Sequence, residues 1–248
     1  MRLIFHGYHG LPDGAVRANV QKAEARFKIQ LQDEQAHGRR LAVVGGGPSV
    51  KRRLGEIASF DDVWGINRTW QYLVANGISA AMFSIDAGPE LVPMAKGAKS
   101  AVLASRTDPG VWDALDCTPT VFHAFDDGPN PVLGGSSSAT CSLIAAVRLG
   151  YRSVRLFGCD SSFEDATHVD RHEERDHVML VRCNGSDYWT APDFYTQAKE
   201  LTRLCNMCPH VLSQSGDGLL GAMVANDDHD VIRVNAALAD RLGLAHAA

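Results

Sequence analysis

The chain has 248 residues, a formal net charge of −5, 45% hydrophobic residues and 21% charged residues. That length suits one large domain or a domain with an appendage, and the proportions exclude a disordered or low-complexity chain. The negative balance excludes a general attraction to nucleic acid or to anionic membranes. No apolar run is long enough to cross a bilayer, and the apolar start is too short for a secretory signal. Six scattered cysteines in a chain able to build its own core are expected to be reduced thiols of a cytoplasmic protein.

Residues 14–36 are expected to form an amphipathic helix, because Val16, Val20, Phe27 and Leu31 recur at helical spacing between charges. Gly38 is its expected stop. Short apolar runs follow, and strands are expected at 41–44, 63–66, 80–85, 101–104, 120–123 and 153–157. Continuous apolar runs suit strands of a parallel sheet buried on both faces. Helices are expected at 69–76 and 137–149, the second closed by Gly150. The alternation predicts an α/β fold: a Rossmann-like open, mostly parallel sheet with helices on both faces, plus the N-terminal helix. After Asp160 the chain turns polar, and 161–177 is expected to be a loop or lid. A strand at 178–182, a helix at 192–205, a strand at 211–213 and a terminal helix at 228–242 complete the expectation. All 248 residues are read as a single Rossmann-like domain, with 1–38 a helical extension.

Two glycine segments stand out. The apolar run 41–44 breaks into Gly45, Gly46, Gly47, Pro48 and Ser49, and Gly134, Gly135, Ser136, Ser137 and Ser138 open a helix. A strand that ends in glycines can expose backbone N–H groups to an anion such as a phosphate, and ligands of open sheets sit at these strand ends. The first loop is neither a dinucleotide fingerprint, with Val50 where a third glycine belongs, nor a Walker A loop, with no Gly-Lys-Ser/Thr. It is otherwise a tight turn without a ligand. Asn67 ends the run 63–66 and either contacts a base or ribose or caps the next helix. Asp86 and Asp160 each end an expected strand, where two carboxylates either hold Mg²⁺ or serve as caps. Gly135, Ser137 and Ala139 fall short of a hydrolase nucleophile elbow, which needs glycine at 139. His168 is the best candidate general base, because an imidazole tunes readily toward neutral pH. With His172 it could also bind a metal if the segment is helical, and otherwise the stretch is a solvated charged loop. Cys205 and Cys208 form a lone CxxC, read as small apolar side chains.

In order, residues 45–49, Asn67, Asp86, 134–138, the segment from Leu149 to Asp160, and Thr167 with His168 resemble the 6-hydroxymethylpterin diphosphokinase-like superfamily, which includes the motility-accessory glycosyltransferases. The same order is similar to the bacterial family 42 sialyltransferases. The resemblance spans about residues 41–172 and implies a CMP-type donor held by the first glycine loop and Asn67, with the downstream His168 as base. The tyrosines that hold the donor phosphate in those sialyltransferases have no counterpart after Asp160, where Phe163 is the nearest ring.

The leading expectation is a transferase: a glycosyltransferase moving a sugar from a CMP- or UDP-type nucleotide sugar to a hydroxyl acceptor. Residues 45–49 and Asn67 hold the nucleotide, Gly135 and Ser136–138 hold phosphate through N–H donors, and His168 and Asp160 are catalytic. The alternatives are a pyrophosphokinase using ATP with Mg²⁺ at Asp86 and Asp160, and a non-catalytic nucleotide-binding module. The acceptor is open (a glycan, a protein, a pterin or a modified base), and a homo-oligomer is compatible with the sequence.

Overall fold

The computed structural model describes residues 11–29, 31, 33–163, 168–169, 177–226 and 228–232. In chain order the elements are α1 (Asp13–Arg26), β1 (His37–Val44), α2 (Val50–Ile57), β2 (Asp62–Ile66), α3 (Thr69–Ala75), β3 (Ala81–Ser84), α4 (Val92–Ala95), β4 (Ala101–Ala104), α5 (Pro109–Ala114), β5 (Thr120–Phe122), α6 (Ser138–Arg148), β6 (Tyr151–Phe157), β7 (Met179–Cys183), β8 (Ser186–Thr190), α7 (Pro192–Met207), β9 (Leu212–Gln214), α8 (Gly218–Ala225) and β10 (His229–Ile232). A 3-10 turn, Pro89–Leu91, precedes α4. Seven strands form a mostly parallel sheet in the order β5-β4-β3-β2-β1-β6-β9, and β10-β7-β8 form an antiparallel one. The α/β expectation is therefore met. Two compact units are present: Met1–Val43 with Phe60–Val154, and Val44–Ser59 with Arg155–Ala248.

The first unit carries the parallel register β2-β3-β4-β5, with Phe83 opposite Ile66 and Val102, and Leu103 opposite Val121. Met82, Phe83, Leu103 and Phe122 are fully buried, as strands covered on both faces require. Trp64 stacks on Phe83 at 5.4 Å and Phe83 on Phe122 at 5.7 Å, so an aromatic row ties three strands together. At the opposite, N-terminal end of β2, Asp62 accepts from Arg39 Nε at 2.7 Å and from the Tyr151 hydroxyl at 2.8 Å.

Helix α1 ends ten residues before the expected boundary at 36. Phe27 turns extended and sets its ring edge-on to Trp112 at 5.3 Å, so burial of a large ring outweighs one more helical turn. Beyond it Glu34 N donates to Arg148 O, and His37 N donates to Gly150 O. Gly38 accordingly lies inside β1 rather than ending a helix.

In the second unit, β7 and β8 form a hairpin around Asn184 and Gly185, both with positive φ. α7 and α8 cover it through Val181, Cys183, Ala198, Leu219 and Met223. The terminal helix expected at 228–242 is corrected at its start: His229–Ile232 is β10, paired antiparallel with β7. Pairing across more than forty residues decides this segment, and local helical spacing does not report it. Residues 233–242 lie outside the described residues.

Candidate functional site

Asn67 and Asp86 follow β2 and β3 in the first unit, at the carboxyl ends of parallel strands. Asn67 has a φ of 50°, in the left-handed region that asparagine enters more readily than most residues. Its N–H donates to Phe83 O at 2.9 Å, and its side-chain Nδ2 donates to Asp86 Oδ2 at 2.6 Å. Its Oδ1 is buried and has no partner among the described residues. Asn67 is thus not a helix cap; α3 makes no side-chain capping bond. An unfilled buried acceptor costs about 1–3 kcal/mol, and such atoms concentrate where a ligand completes the bond. The Asp86 carboxyl is held above its ordinary 3.8: burial raises it most, the Asn67 bond opposes, and the Glu90 charge adds to the rise.

The second loop ends in α6 as expected, within one residue of the expected start. Ser137 is its N-cap and forms a capping box with Thr140: Thr140 N donates to Ser137 Oγ at 3.3 Å, and Ser137 N donates to Thr140 Oγ1 at 3.1 Å. Gly135 has a φ of 62°, and a Cβ there would fall on the Thr140 side chain, so the cap itself demands glycine. Ser138, 6% exposed, accepts from Ile85 N at 3.3 Å and ties the helix start to the end of β3. The Ser137 N–H is thus donated within the cap, where the hydroxyl accepts from Thr140 N. Ser136 is the exposed residue of this loop, while Ser138, Ala139 and Thr140 of the first helical turn are buried.

In the second unit the turn at 45–49 is more inward-looking than its glycines suggest. Gly45 N donates to Phe157 O at 2.8 Å and Gly47 N to Gly158 O at 2.7 Å, while Gly46 O accepts from Val169 N at 2.7 Å. Ser49 is fully buried; its N–H donates to Asp160 Oδ2 at 2.9 Å and its hydroxyl donates to Asp160 Oδ1. A Cβ at Gly47 would sit 2.5 Å from Asp160 Oδ2 and 2.7 Å from Gly158 O, so only glycine lets the turn lie this close. Asp160 is 2% exposed, and its carbonyl accepts from Leu220 N at 3.1 Å. Ser49 and Asp160 bind one another and so brace the turn. Pro48 is buried; Gly46 is half-buried, and its N–H donates to none of the described residues. Among the described residues no group of three or more His, Cys, Asp or Glu side chains could hold a metal.

His168 is half-buried, with its ring 6.2 Å from that of Phe194, which in turn lies 5.7 Å from Phe163. Asp165, Asp170, His172 and Glu173 lie outside the described residues. All six cysteines are free thiols; Cys205 is buried and Cys208 exposed.

Sequence reasoning missed a polar cluster behind β4 and β5. Arg106 forks onto Asp127 through two 2.7 Å bonds, both side chains 7% exposed, and lies 4.5 Å over the Phe125 ring. Ser105 Oγ is 3.0 Å from His123 Nδ1, and His123 Nε2 is 3.7 Å from Glu24 on α1. Asn19 of the same helix donates to Arg106 O at 3.0 Å and Ala87 O at 3.3 Å. The signal was a run of polar residues, Ser105, Arg106 and Thr107, directly after a strand.

No protein-family model and no curated protein matches the sequence. Among solved structures, the Maf glycosyltransferase of Magnetospirillum magneticum AMB-1 matches with a TM-score of 0.66 and 16% identity over 96% of this chain. This chain spans 43% of that protein. The likeness is one of fold: the two share an α/β architecture. A mammalian sialyltransferase structure matches with a TM-score of 0.43 and 14% identity, over 84% of this chain and 86% of that one. A mammalian sialyltransferase complexed with Gal-beta-1-3GalNAc-ortho-nitrophenol gives a TM-score of 0.41 and 12% identity, over 88% and 91%. Among the described residues no helix is long and apolar enough to cross a membrane.

Proposed function

We propose that the chain is a glycosyltransferase that moves a sugar from a nucleotide-sugar donor of CMP or UDP type to a hydroxyl acceptor. The observation that carries this reading is the fold match to the Maf glycosyltransferase across 96% of this chain. It is supported by the polar strand-end groups at Asn67 and Asp86, where ligands of open parallel sheets bind. In this reading Asn67 contacts the donor nucleotide. The N–H groups of Gly135 and Ser136, just before the cap of α6, and of Ser138, its first residue, lie at the positive end of the helix and favour the negative charge of the phosphate as the sugar departs. In the second unit, the Gly46 N–H, within a turn braced by Ser49 and Asp160, is of the kind an anion accepts from. His168 removes the proton of the acceptor hydroxyl, an effect of about 10²–10⁴-fold in rate.

The test is a set of calorimetric titrations with CMP, UDP and ATP, each with and without Mg²⁺. Saturable binding of CMP or UDP supports the proposal. Binding of ATP alone, with a strict Mg²⁺ requirement, would replace it with the pyrophosphokinase.

A further inference from the structure

Asn67 can offer a ligand either end of its amide, and the two ends select opposite chemistry: Nδ2 donates and Oδ1 accepts. In this chain the choice is already made. Nδ2 donates to Asp86 Oδ2 at 2.6 Å, and Oδ1 stands buried without a partner among the described residues. The backbone is held as firmly, with Asn67 N bonded to Phe83 O at 2.9 Å and Asp86 N to Ser84 Oγ at 3.2 Å. Turning the amide over would set a carbonyl oxygen against a carboxylate oxygen, two acceptors with no proton between them.

We infer that Asp86 is a specificity-determining positioning residue: it locks the Asn67 amide so that Asn67 presents an acceptor, and the bound nucleotide must place an N–H or O–H donor there. A phosphate oxygen, which is an acceptor, does not fill this position. The donor belongs to the nucleoside, either a base N–H or a ribose hydroxyl. Shielding of Oδ1 from bulk water makes the contact discriminating, since an exposed oxygen would accept from water in place of the missing donor and the difference would be small. The inference rests on the proposed nucleotide site and adds to it the polarity of one contact and the residue that sets it.

The experiment measures dissociation constants for the whole chain with whichever of CMP and UDP binds, and with analogues lacking one donor at a time. The base arm uses N4,N4-dimethyl-CMP or N3-methyl-UDP, and the ribose arm the 2′-deoxy and 3′-deoxy forms. One analogue is expected to bind about tenfold more weakly than its parent, the rest within about threefold. In Asp86→Ala the freed amide can turn, and that tenfold ratio should shrink to about twofold. A merely structural Asp86 would weaken parent and analogue alike and keep the ratio. The inference is overturned if no analogue loses more than about threefold in the native chain, a result that stands even if the variant does not fold. It is also overturned if folded Asp86→Ala keeps the ratio; in both cases nucleotide binding itself survives. If neither CMP nor UDP binds, the proposed function falls and this inference with it.

Discussion

The pairing of Ser49 with Asp160 should be among the strongest local constraints in the second unit, and a double-mutant cycle measures it. Both residues are essentially without solvent contact, and the carboxylate takes two bonds from one residue, at the N–H and at the hydroxyl. A hydrogen bond to a charged group contributes about 1.5–3 kcal/mol. Ser49→Ala removes one bond, so it should cost about 1.5–3 kcal/mol. Asp160→Ala removes both and strands a buried N–H, so it should cost about 3–5 kcal/mol. Once Asp160 is gone the hydroxyl has lost its acceptor, and Ser49→Ala should then cost little. The coupling energy is therefore expected at about 1.5–3 kcal/mol. The assay is urea unfolding of the four chains, followed by circular dichroism. Costs that add within about 0.5 kcal/mol would refute the brace and return Ser49 to the list of groups free to meet a ligand.

Two more predictions concern charge. The Asp86 carboxyl is held above 3.8, chiefly by burial; an acid raised in the folded state binds its proton more tightly when folded, so native stability falls as pH climbs from the ordinary value through the raised one. Asp86→Asn removes that component, so the stability of the native chain relative to the variant should decline across this window, and a flat difference would sink the assignment. At the Arg106–Asp127 pair, Arg106→Ala leaves a buried carboxylate without its fork and should cost about 3–5 kcal/mol in urea unfolding. Arg106→Met combined with Asp127→Leu should cost distinctly less, and equal losses would mean that the pair matters through packing alone.

Much of the first unit was legible because strands such as β2 and β4 are largely buried, so 63–66 and 101–104 read as unbroken apolar runs. The start of α6 was legible because Ser137 and Thr140 carry a local capping signal. What escaped depends on partners distant in sequence. β10 lies at the start of the stretch 228–242 that reads as a helix, yet its backbone pairs with β7. α8 is apolar almost all round, so it shows no amphipathic stripe to detect. The β7–β8 hairpin was a missed local signal, since Asn184 and Gly185 are a favoured two-residue turn. At the candidate site the orientation of the side chains and N–H groups was not visible. Glycines and serines read as outward anion donors spend several of their N–H groups on β6 carbonyls, on Asp160 and on the α6 cap. Only coordinates reveal the polarity of the Asn67 amide.

The central claim, sugar transfer from a nucleotide donor with His168 as base, is tested most directly by following nucleotide release. CMP- and UDP-sugars are incubated with the native chain and with His168→Ala, with and without hydroxyl acceptors. The account predicts release by the native chain, a drop of about 10²–10⁴-fold in His168→Ala, and unchanged nucleotide affinity in the variant. Equal release by the two chains would contradict the role of His168, and no release from any donor by a chain that binds the nucleotide would contradict the transferase itself.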